Sequence, residues 1–394
     1  MRILLAADTY YPHVNGASYF AQRLAQALHQ KNHTVAVVAP AQSFAHTKTY
    51  IDDILVYGIR SVPVFFYRDF RFAAFASDAT FQNILTEFQP DIVHLQAHFY
   101  IGRKVFQASQ KNNLPIVATN HFMPENLVHY LPVPEFMRNI VKNWAWRDFA
   151  RIYNQVGRIT TPTETAADLI RDKVKLPVEA ISCGIDLQKF DRSQPTADLR
   201  ERYALPNQPI LLYVGRLDRE KNLDTVLRAV ALARQQTQFH FVIAGTGAER
   251  QRLEKLAREL GIAEHVTFAG FVPNADLPAL YLLASCFVIA GIAELQSIVT
   301  MEALAAGLPV LGVNAMALPE LVHDGENGFL FELADISGLS AKIIQLLADS
   351  DLQKKFGAAS LAIIAKHDIT KTIAAFEQLY LEQIARARSG AKSA

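Results

Sequence analysis

The chain contains few of the residues on which disulfide-bonded, zinc-binding and membrane-spanning proteins depend. Its 394 residues include only two cysteines, Cys183 and Cys286. Two cysteines cannot build a disulfide framework or a four-cysteine zinc site, so we expect a reducing, cytoplasmic setting. The longest apolar run, from Leu280 to Ala293, is interrupted by Ser285 and Gly291. It is too short to span a bilayer.

The chain also has no excess of charge and no metal-binding signature. Its 39 Lys and Arg residues and 38 Asp and Glu residues give a net charge of +1, which provides no overall attraction for nucleic acid. The N-terminus enters a strand pattern at once and lacks the segments of a signal peptide, so we do not expect export. The only Asp-x-Asp sequence, from Asp349 to Asp351, resembles a helix cap in a polar break, and we expect no metal ion.

Short apolar, β-rich runs alternate with helical patterns along the whole chain, and 51% of the residues are hydrophobic. This alternation predicts an α/β protein with two doubly wound, Rossmann-like parallel sheets, each covered by helices on both faces. The strands of the first sheet are predicted at residues 2–7, 33–39, 91–96, 115–121 and 158–163. The strands of the second sheet are predicted at residues 210–217, 239–245, 266–270, 286–291 and 308–314.

A polar stretch punctuated by Gly184 and Pro195 separates the two series of strands. It predicts an N-terminal domain over residues 1–190 and a C-terminal domain over residues 191–369. We expect the two domains to face a central cleft.

The segment from residue 289 to 310 carries two acids, Glu294 and Glu302, where a buried strand runs into a loop and a helix. If that helix begins near residues 295–297, its unpaired amide groups form an anion site. Glu302 then lies about 12 Å beyond Glu294, at about 1.5 Å per residue, which suits a sugar nucleotide. The residues around this anion site are Leu295, Gln296, Ser297 and Ile298. An isolated pair of acids is more often one loop acid and one helix cap.

Two cations, Arg216 and Lys221, follow a predicted strand of the second sheet in the sequence VGRLDREKN. Open α/β sheets bind ligands at the carboxyl ends of their strands, and two cations there suit a diphosphate. Donors preorganised for a departing nucleoside diphosphate are worth roughly 10²- to 10³-fold in rate each. The alternative is a surface loop whose charges pair in solvent, each pair contributing less than about 1 kcal/mol.

Two residues of the first domain are further candidates. Gly16 lies in the loop after the first strand, where the backbone must approach a ligand or turn sharply. His121 ends the fourth strand and is expected to face the cleft, where it can donate a hydrogen bond to a sugar hydroxyl or hold the acceptor. A lone histidine at a strand end is more often structural. His94, inside a strand, is assigned that structural role, and the role of His98 stays open.

Two segments mix aromatic and basic residues, namely residues 62–72 and residues 136–153. The second segment has helical character and includes Trp144 and Trp146. Aromatic and cationic side chains together can dock a helix at a membrane surface. Core packing of the aromatics with the bases turned outward is equally common.

Together these motifs resemble glycosyltransferase family 4, whose members are retaining enzymes of the GT-B fold. The resemblance runs from the first strand to about Phe331 and rests on VGRLDREKN, the E-x7-E segment, EALAAGLPVL and LPELVHDGENGFLF. It implies that Arg216 and Lys221 neutralise the donor diphosphate. It also implies that Glu302 binds the ribose and that Glu294 contacts the transferred hexose.

The resemblance extends to the first domain with two matches, and it has two departures, one in each domain. Gly16 matches the loop near the phosphates, and His121 matches the active-site histidine on the acceptor side. The usual Gly-Gly of that loop is Asn15-Gly16 here, and the Phe-Gly or Gln-Gly that often follows the first glutamate is residues 295–297, Leu-Gln-Ser. A side chain at Ser297 bears on how closely the backbone reaches the sugar. A final helix at about residues 370–390 is expected to pack back on the first domain, as in relatives.

The stretch from His121 to Tyr130 is similar to a pattern of diacylglycerol glucosyltransferases in this family, His-x-Met-x-Glu followed by His-Tyr. It predicts a lipid acceptor and a peripheral position on the inner face of the membrane. Mannosyltransferases acting on phosphatidylinositol or other glycolipids stay an alternative.

We therefore expect a hexose to move from a nucleoside diphosphate sugar to an acceptor hydroxyl with its anomeric configuration kept. UDP-glucose is the favoured donor, GDP-mannose the next, and no cofactor or metal ion is expected. A front-face route, in which the departing phosphate accepts the proton of the acceptor, is preferred over the covalent route of glycosidases. The competing interpretations are a sugar-nucleotide epimerase and a non-catalytic sugar-nucleotide-binding protein.

Overall fold

The computed structural model describes residues 1–13, 15–64, 67–123, 135–191 and 197–390, and the chain divides into two compact units. Unit 1 comprises Met1–Cys183 and Thr372–Ala394, and unit 2 comprises Gly184–Lys371. The chain thus passes from unit 1 to unit 2 after Cys183, before the expected boundary at residue 190.

The chain after Gly184 belongs to unit 2 because it pairs with the segment that precedes the final helix. The amide of Ile185 donates to the carbonyl oxygen of His367 at 2.9 Å, and the amide of Ile369 donates to the carbonyl oxygen of Ile185 at 2.9 Å. This short parallel bridge is made of backbone hydrogen bonds, which no pattern of side chains in the sequence signals.

Unit 1 is built on an eight-stranded sheet with a separate two-stranded hairpin. Its strands are β1 Arg2–Ala6, β2 Thr34–Pro40, β3 Thr47–Ile51, β4 Ile54–Ile59, β5 Ser61–Val64, β6 Tyr67–Ala73, β7 Ile92–Leu95, β8 Ile116–Thr119, β9 Arg158–Thr161 and β10 Val178–Ala180. The spatial order of the large sheet is β10-β9-β8-β7-β1-β2-β4-β3, and only β3 runs antiparallel to its neighbour. The order reverses between β1 and β7, which are adjacent strands.

Helices cover this sheet and bury its central strands. They are α1 Gly16–Gln30, α2 Asp78–Phe88, α3 Tyr100–Lys111, α4 Glu135–Tyr153 and α5 Glu164–Arg171. The final helix, Ile369–Gly390, joins them from Thr372 onward. On this helix, Glu377 pairs with Lys31 at 2.6 Å, and the Tyr380 hydroxyl lies 2.6 Å from Nδ1 of His94.

Unit 2 holds a six-stranded, fully parallel sheet. Its strands are β11 Ile210–Val214, β12 His240–Ala244, β13 Val266–Gly270, β14 Cys286–Ile289, β15 Val310–Val313 and β16 Gly328–Phe331. Its helices are α6 Ala197–Arg202, α7 Leu223–Ala233, α8 Arg250–Glu259, α9 Leu277–Leu283, α10 Ile298–Ala305, α11 Ile336–Ala348 and α12 Ser350–Ile364, so the final helix is α13. The spatial order β13-β12-β11-β14-β15-β16 is the 3-2-1-4-5-6 order of a Rossmann fold.

The structure adds strands to those predicted and corrects one expectation. All ten predicted strands exist, with ends shifted by up to a few residues. The strands β3 to β6, β10 and β16 were not predicted, and the antiparallel β3 makes the first sheet mixed rather than wholly parallel. The sequence of β3, TKTYI, is largely exposed at the sheet edge, so it lacks the apolar run that signals a buried strand.

Candidate active site

In unit 2 the topological switch point lies between β11 and β14. These two strands are adjacent, while the chain continues from β11 towards β12 on one side and from β14 towards β15 on the other. In open α/β sheets the crevice outside the carboxyl ends of such strands is where ligands bind. Arg216 follows β11, Lys221 lies in the 3₁₀ turn Arg219–Lys221, and Glu294 follows β14.

Lys221 and Glu294 meet at this switch point as a nearly buried ion pair. Nζ of Lys221 lies 2.7 Å from Oε1 of Glu294, and their side chains are 16% and 15% exposed. Burial alone would lower the pKa of Lys221, but the carboxylates of Glu294 and Glu220 raise it above its ordinary value. A Cβ on Gly291 would lie 2.9 Å from Oε1 of Glu294, so the absence of a side chain there makes room for the pair.

Arg216 belongs to the same charged network. Its guanidinium lies 2.8 Å from Oδ2 of Asp218 and 3.4 Å from Oε1 of Glu220, which itself lies 3.7 Å from Nζ of Lys221. The side chain of Arg216 is 22% exposed. The loop is therefore not a set of solvated surface pairs, which was the alternative left open for it.

Close backbone packing fixes the loop that carries Arg216. Gly215 has φ of 152°, a value that favours glycine, and its amide donates to the carbonyl oxygen of Ala244 at 3.0 Å. A Cβ on Gly245 would lie 1.8 Å from the carbonyl oxygen of Gly215. The Tyr213 hydroxyl donates to the carbonyl oxygen of Arg216 at 2.8 Å, which fixes the backbone of the loop.

The helix after Glu294 begins where the sequence predicted. Ser297 is the N-cap of α10, and Ile298 is its first residue, with Leu295 and Gln296 in the loop before it. The Ser297 side chain is buried, accepts a hydrogen bond from the amide of Thr300 at 3.4 Å and lies 2.9 Å from the Thr300 hydroxyl. The departure at Ser297 thus supplies a helix cap, and the side chain points into α10.

Glu302 lies on α10 and is buried, with 7% of its surface exposed. One carboxylate oxygen, Oε2, accepts a hydrogen bond from the Tyr281 hydroxyl at 3.1 Å. The same hydroxyl lies 3.2 Å from the carbonyl oxygen of Val299. The bond from α9 to α10 fixes the Glu302 carboxylate, which is neither a cap nor a solvated surface acid.

In unit 1 the candidate residues gather at a second switch point, between β1 and β7. Gly16 is the first residue of α1, whose N-cap Asn15 accepts a hydrogen bond from the amide of Ser18 at 2.9 Å. Among the described residues, apart from its chain neighbours and the backbone of its own helix, no atom lies within 4 Å of the position that a Cβ on Gly16 would occupy. His121 follows β8, two residues beyond its last residue, Thr119.

His121 is held in a largely apolar setting. Its Nε2 lies 3.2 Å from Oε1 of Gln96, and its ring packs against Phe20 with 4.8 Å between centroids. Burial lowers the pKa of His121 to about 4, so the ring is neutral at physiological pH.

The other two histidines of this edge differ in their surroundings. His94 is completely buried, with Nδ1 at 2.6 Å from the Tyr380 hydroxyl and Nε2 at 2.6 Å from the Thr119 hydroxyl. This is the structural role expected of a histidine inside a strand. His98 lies among aromatic rings, at 4.9 Å from Phe99, and burial lowers its pKa to about 4.

Two polar residues at the same edge were missed in the sequence. Asp8 is buried, and its carboxylate accepts hydrogen bonds from the amides of Ile101 at 2.8 Å and Gly102 at 3.2 Å, at the start of α3. Burial raises the pKa of Asp8 to about 6. Gln96 directly follows β7 and is 3% exposed. Each lies within two residues of the end of an apolar strand, and that position is the signal that marks them.

Two family models match this chain. The model for glycosyltransferase family 4 matches residues 14–189, and the model for glycosyl transferases group 1 matches residues 196–361. The chain belongs to glycosyltransferase family 4. The predicted family and the predicted glycosyltransferase activity are confirmed.

This family 4 glycosyltransferase has relatives along its full length. It is 28% identical to the alpha-monoglucosyldiacylglycerol synthase of Streptococcus pneumoniae, over 98% of this chain and 86% of that one. It resembles the sucrose-phosphate synthase of Thermosynechococcus elongatus with a TM-score of 0.81 and 21% identity, over 98% and 99% of the two chains. It resembles Anabaena HepE, solved in complex with UDP-glucose, with a TM-score of 0.74 and 19% identity, over 98% and 99%. These similarities confirm the predicted GT-B fold.

The pattern that this glycosyltransferase shares with diacylglycerol glucosyltransferases lies partly outside the described residues. Glu125, His129 and Tyr130 lie outside the described residues, as do residues 65 and 66 of the first aromatic and basic segment. At the ends of that segment, Val62 and Phe72 are 39% and 48% exposed.

The second aromatic and basic segment of the glycosyltransferase forms α4. Its inward face buries Phe149 and Tyr153, whose rings stack at 4.0 Å. Its outward face exposes Met137, Ile140 and Trp144, the last two at 64% each. The inward face of α4 therefore fits core packing, and its outward face fits docking at a membrane surface.

Within the described residues, no helix is long and apolar enough to cross a bilayer. The same part of the chain holds no group of three or more His, Cys, Asp or Glu residues that could bind a metal ion. The side chain of Asp349 caps α12 by accepting from the amides of Asp351 and Leu352, as the sequence indicated.

Proposed function

We propose that this enzyme transfers glucose from UDP-glucose to a hydroxyl of a membrane lipid such as diacylglycerol. We further propose that the sugar keeps its anomeric configuration, that no metal ion takes part, and that the enzyme works at the inner face of the cell membrane. The C-terminal unit binds the donor, and the N-terminal unit binds the acceptor.

The pairing of Lys221 with Glu294 at the β11/β14 switch point carries this proposal. A lysine with a raised pKa keeps its positive charge in a site that is nearly closed to water. A donor diphosphate would replace Glu294 as the ion-pair partner of Lys221. Glu294 would then be available to accept hydrogen bonds from hexose hydroxyls. The ion pair is therefore the resting form of two ligand-binding side chains.

The remaining donor contacts follow from the same geometry. Arg216 supplies a second cation to the diphosphate, and the first amides of α10 attract its negative charge. The proposed anion site comprises the loop residues Leu295 and Gln296, the N-cap Ser297 and the first residue of α10, Ile298. Glu302, already fixed by Tyr281, accepts from the ribose hydroxyls. Gly16 lets the first loop of the N-terminal unit approach the phosphates.

Retention of configuration is part of the proposal, and a front-face route to it fits the residues present. A covalent route needs a nucleophilic carboxylate free to attack the sugar, as in retaining glycosidases. In unit 1 the buried acid Asp8 is already hydrogen-bonded to two backbone amides of α3. A front-face route needs only a stabilised leaving group: Arg216 and Lys221 support the departing diphosphate, which accepts the proton of the incoming hydroxyl.

A lipid acceptor is supported by two observations. The Streptococcus pneumoniae relative is named an alpha-monoglucosyldiacylglycerol synthase. The outward face of α4 combines Ile140 and Trp144 with exposed Arg147 and Arg151, a mixture that binds anionic membrane surfaces.

The proposal is tested by incubating the full chain with UDP-glucose and vesicles of phosphatidylglycerol and diacylglycerol. We expect a monoglucosyl lipid whose anomeric proton coupling matches that of the donor, formed at the same rate in excess EDTA. Parallel reactions contain GDP-mannose, or lack the acceptor.

Each contrary outcome rejects a specific part of the proposal. Transfer from GDP-mannose alone would replace the donor. An inverted product would reject the front-face route, and loss of activity in EDTA would reject metal independence. An altered sugar nucleotide formed without acceptor would identify an epimerase, and binding without turnover would identify a sensor.

A further inference from the structure

Gln96 occupies a special place at the switch point of unit 1. It directly follows β7, and its own amide donates to the carbonyl oxygen of Ala6, the last residue of β1. The side chain therefore begins where two adjacent parallel strands end, which is the position of ligand-binding residues in such sheets. It is nevertheless 97% inaccessible, since only 3% of the residue is exposed.

The two ends of the Gln96 side chain are used differently. The carbonyl oxygen, Oε1, lies 3.2 Å from Nε2 of His121. The amide nitrogen, Nε2, is buried and has no hydrogen-bond partner among the described residues. A buried amide without a partner costs free energy, and a ligand that accepted a hydrogen bond from this amide would remove that cost.

The contact with Oε1 determines the tautomer of His121. An amide oxygen only accepts hydrogen bonds, so the imidazole nitrogen that faces it must carry the hydrogen. Because the ring is neutral, Nδ1 then carries the lone pair. His121 can therefore accept a hydrogen bond through Nδ1 from a substrate hydroxyl but cannot donate one from that nitrogen.

We propose that Gln96 is a positioning residue that holds His121 in the tautomer with hydrogen on Nε2 and offers its own amide to a bound hydroxyl. His121 and Gln96 together then present one acceptor and one donor, which matches the hydroxyl of a carbohydrate or glycerol group. This inference rests on the proposed function, because it assumes that a hydroxylated substrate meets this edge of unit 1.

The test compares two variants of Gln96 with a matched control. Gln96→Leu removes both the acceptor and the donor, whereas Gln96→Glu keeps an acceptor oxygen and loses the amide hydrogens. The control is Gln383→Leu, which changes another buried glutamine of unit 1, 5% exposed, on α13. All proteins are full-length, and thermal melting confirms that each variant is folded.

The first readout is spectroscopic and needs no activity. Ring nitrogen resonances of His121, assigned with the His121→Asn variant, report which nitrogen carries hydrogen. We expect hydrogen on Nε2 in the wild type, in Gln96→Glu and in Gln383→Leu, and a mixture of tautomers in Gln96→Leu. Hydrogen on Nδ1 in the wild type, or an unchanged tautomer in Gln96→Leu, would overturn the proposal.

The second readout is turnover in the presence and absence of acceptor. We expect kcat of Gln96→Leu to fall by about tenfold or more, since a positioned donor or acceptor is worth roughly 10²-fold or more in rate when it contacts the reacting groups directly. The loss should be smaller for Gln96→Glu and absent for Gln383→Leu. A loss in transfer but not in donor hydrolysis assigns the bound hydroxyl to the acceptor, and an equal loss in both assigns it to the transferred sugar.

The two failures are distinguishable. If the wild type transfers no sugar while the tautomer still responds to Gln96→Leu, the proposed function fails and the positioning role stands. If the wild type is active and Gln96→Leu has the kcat of Gln383→Leu, the role of Gln96 fails and the proposed function is unaffected.

Discussion

The two switch points of this enzyme have opposite electrostatic characters. In unit 2 the residues at β11 and β14 carry full charges, and Lys221 and Glu294 form a nearly buried pair. In unit 1 the residues that follow β7 and β8, Gln96 and His121, are neutral, since burial lowers the pKa of His121 to about 4, and the one acid beside them, Asp8, has its pKa raised by burial to about 6. A site for a diphosphate needs fixed charges that replace water, whereas a site for a hydroxyl needs only oriented neutral donors and acceptors.

Replacing Lys221 tests the charge on which the proposed donor site depends. We expect Lys221→Ala to lower kcat by at least about 10²-fold, because the departing diphosphate loses a preorganised cation. Steady-state assays with UDP-glucose measure this loss. Glu294→Ala should cost a similar factor through the hexose.

The matched control for this prediction is Lys255→Ala, which removes a lysine paired with Glu259 at 3.6 Å on the exposed surface of α8. That variant should keep normal turnover, because solvated pairs contribute little. Turnover of Lys221→Ala within about threefold of the wild type would contradict the assigned role, given the size of such contributions.

The charged site illustrates what sequence can and cannot supply. The strand ends, the helix start at Ser297 and the positions of Arg216 and Lys221 follow from local patterns, which were enough to predict a donor site. The contact of Lys221 with Glu294 joins residues 73 positions apart, and no local pattern specifies such a distance. The roles of the two residues stay predictions, but their juxtaposition is a property of the fold.

The site in unit 1 was harder to predict, because contacts between residues distant in the sequence also form it. His121 was found because histidine is a conspicuous residue at a strand end, whereas Gln96 and Asp8 gain their meaning only from their neighbours. The order β1-β7-β8 brings them to one edge, and that order depends on tertiary pairing. The strands β5 and β6 were missed because they form a separate hairpin outside the main sheet.

Two glycines sharpen the comparison between the sites. A methyl group on Gly16 would meet open space among the described residues beyond its own helix and chain neighbours, whereas one on Gly291 would lie 2.9 Å from Oε1 of Glu294. Gly16→Ala should keep or raise the melting temperature, because alanine is favoured over glycine in a helix. It should still weaken donor use by about tenfold if the phosphates approach that backbone, since small displacements in a site cost up to about 10²-fold.

Gly291→Ala should act on the enzyme before any ligand binds, by displacing the ion pair. We therefore expect lower melting temperature and lower turnover together, measured by calorimetry and steady-state kinetics. A loss of stability in Gly16→Ala would contradict the open space around Gly16, and a wild-type KM for the donor would show that Gly16 does not lie near the ligand.

A smaller effect is expected from the tyrosine that fixes Glu302. Tyr281→Phe keeps the packed ring, which is completely buried, and removes the hydroxyl that donates to Glu302 at 3.1 Å. A lost hydrogen bond of this kind weakens UDP binding by roughly three- to tenfold. Calorimetric titration with UDP measures the effect, and the substitution should have no further effect in a Glu302→Ala background. Independent losses in the double variant would place the action of Tyr281 elsewhere.

The pH dependence of stability tests whether the buried histidines of unit 1 are neutral. Burial lowers the pKa of His94 to about 3 and those of His98 and His121 to about 4, against 6.5 in the unfolded chain. The unfolded state therefore binds protons first, so the stability that these groups contribute is present above pH 6.5 and is lost as the pH falls towards 4. Asp8 opposes the change, because its raised pKa of about 6 lets the folded state bind a proton first.

Three histidines outweigh one aspartate, so unit 1 should lose stability between neutral pH and about pH 5. Tryptophan fluorescence during urea unfolding isolates this effect, because Trp144 and Trp146 are the only tryptophans and both lie in unit 1. Turnover per folded molecule should change least of all, since His121 stays neutral well below its ordinary pKa and keeps its lone pair on Nδ1. An activity that fell with an apparent pKa near 6.5 would show an exposed, titrating imidazole, and the contrast between the charged pair of unit 2 and the neutral His121 of unit 1 would be wrong.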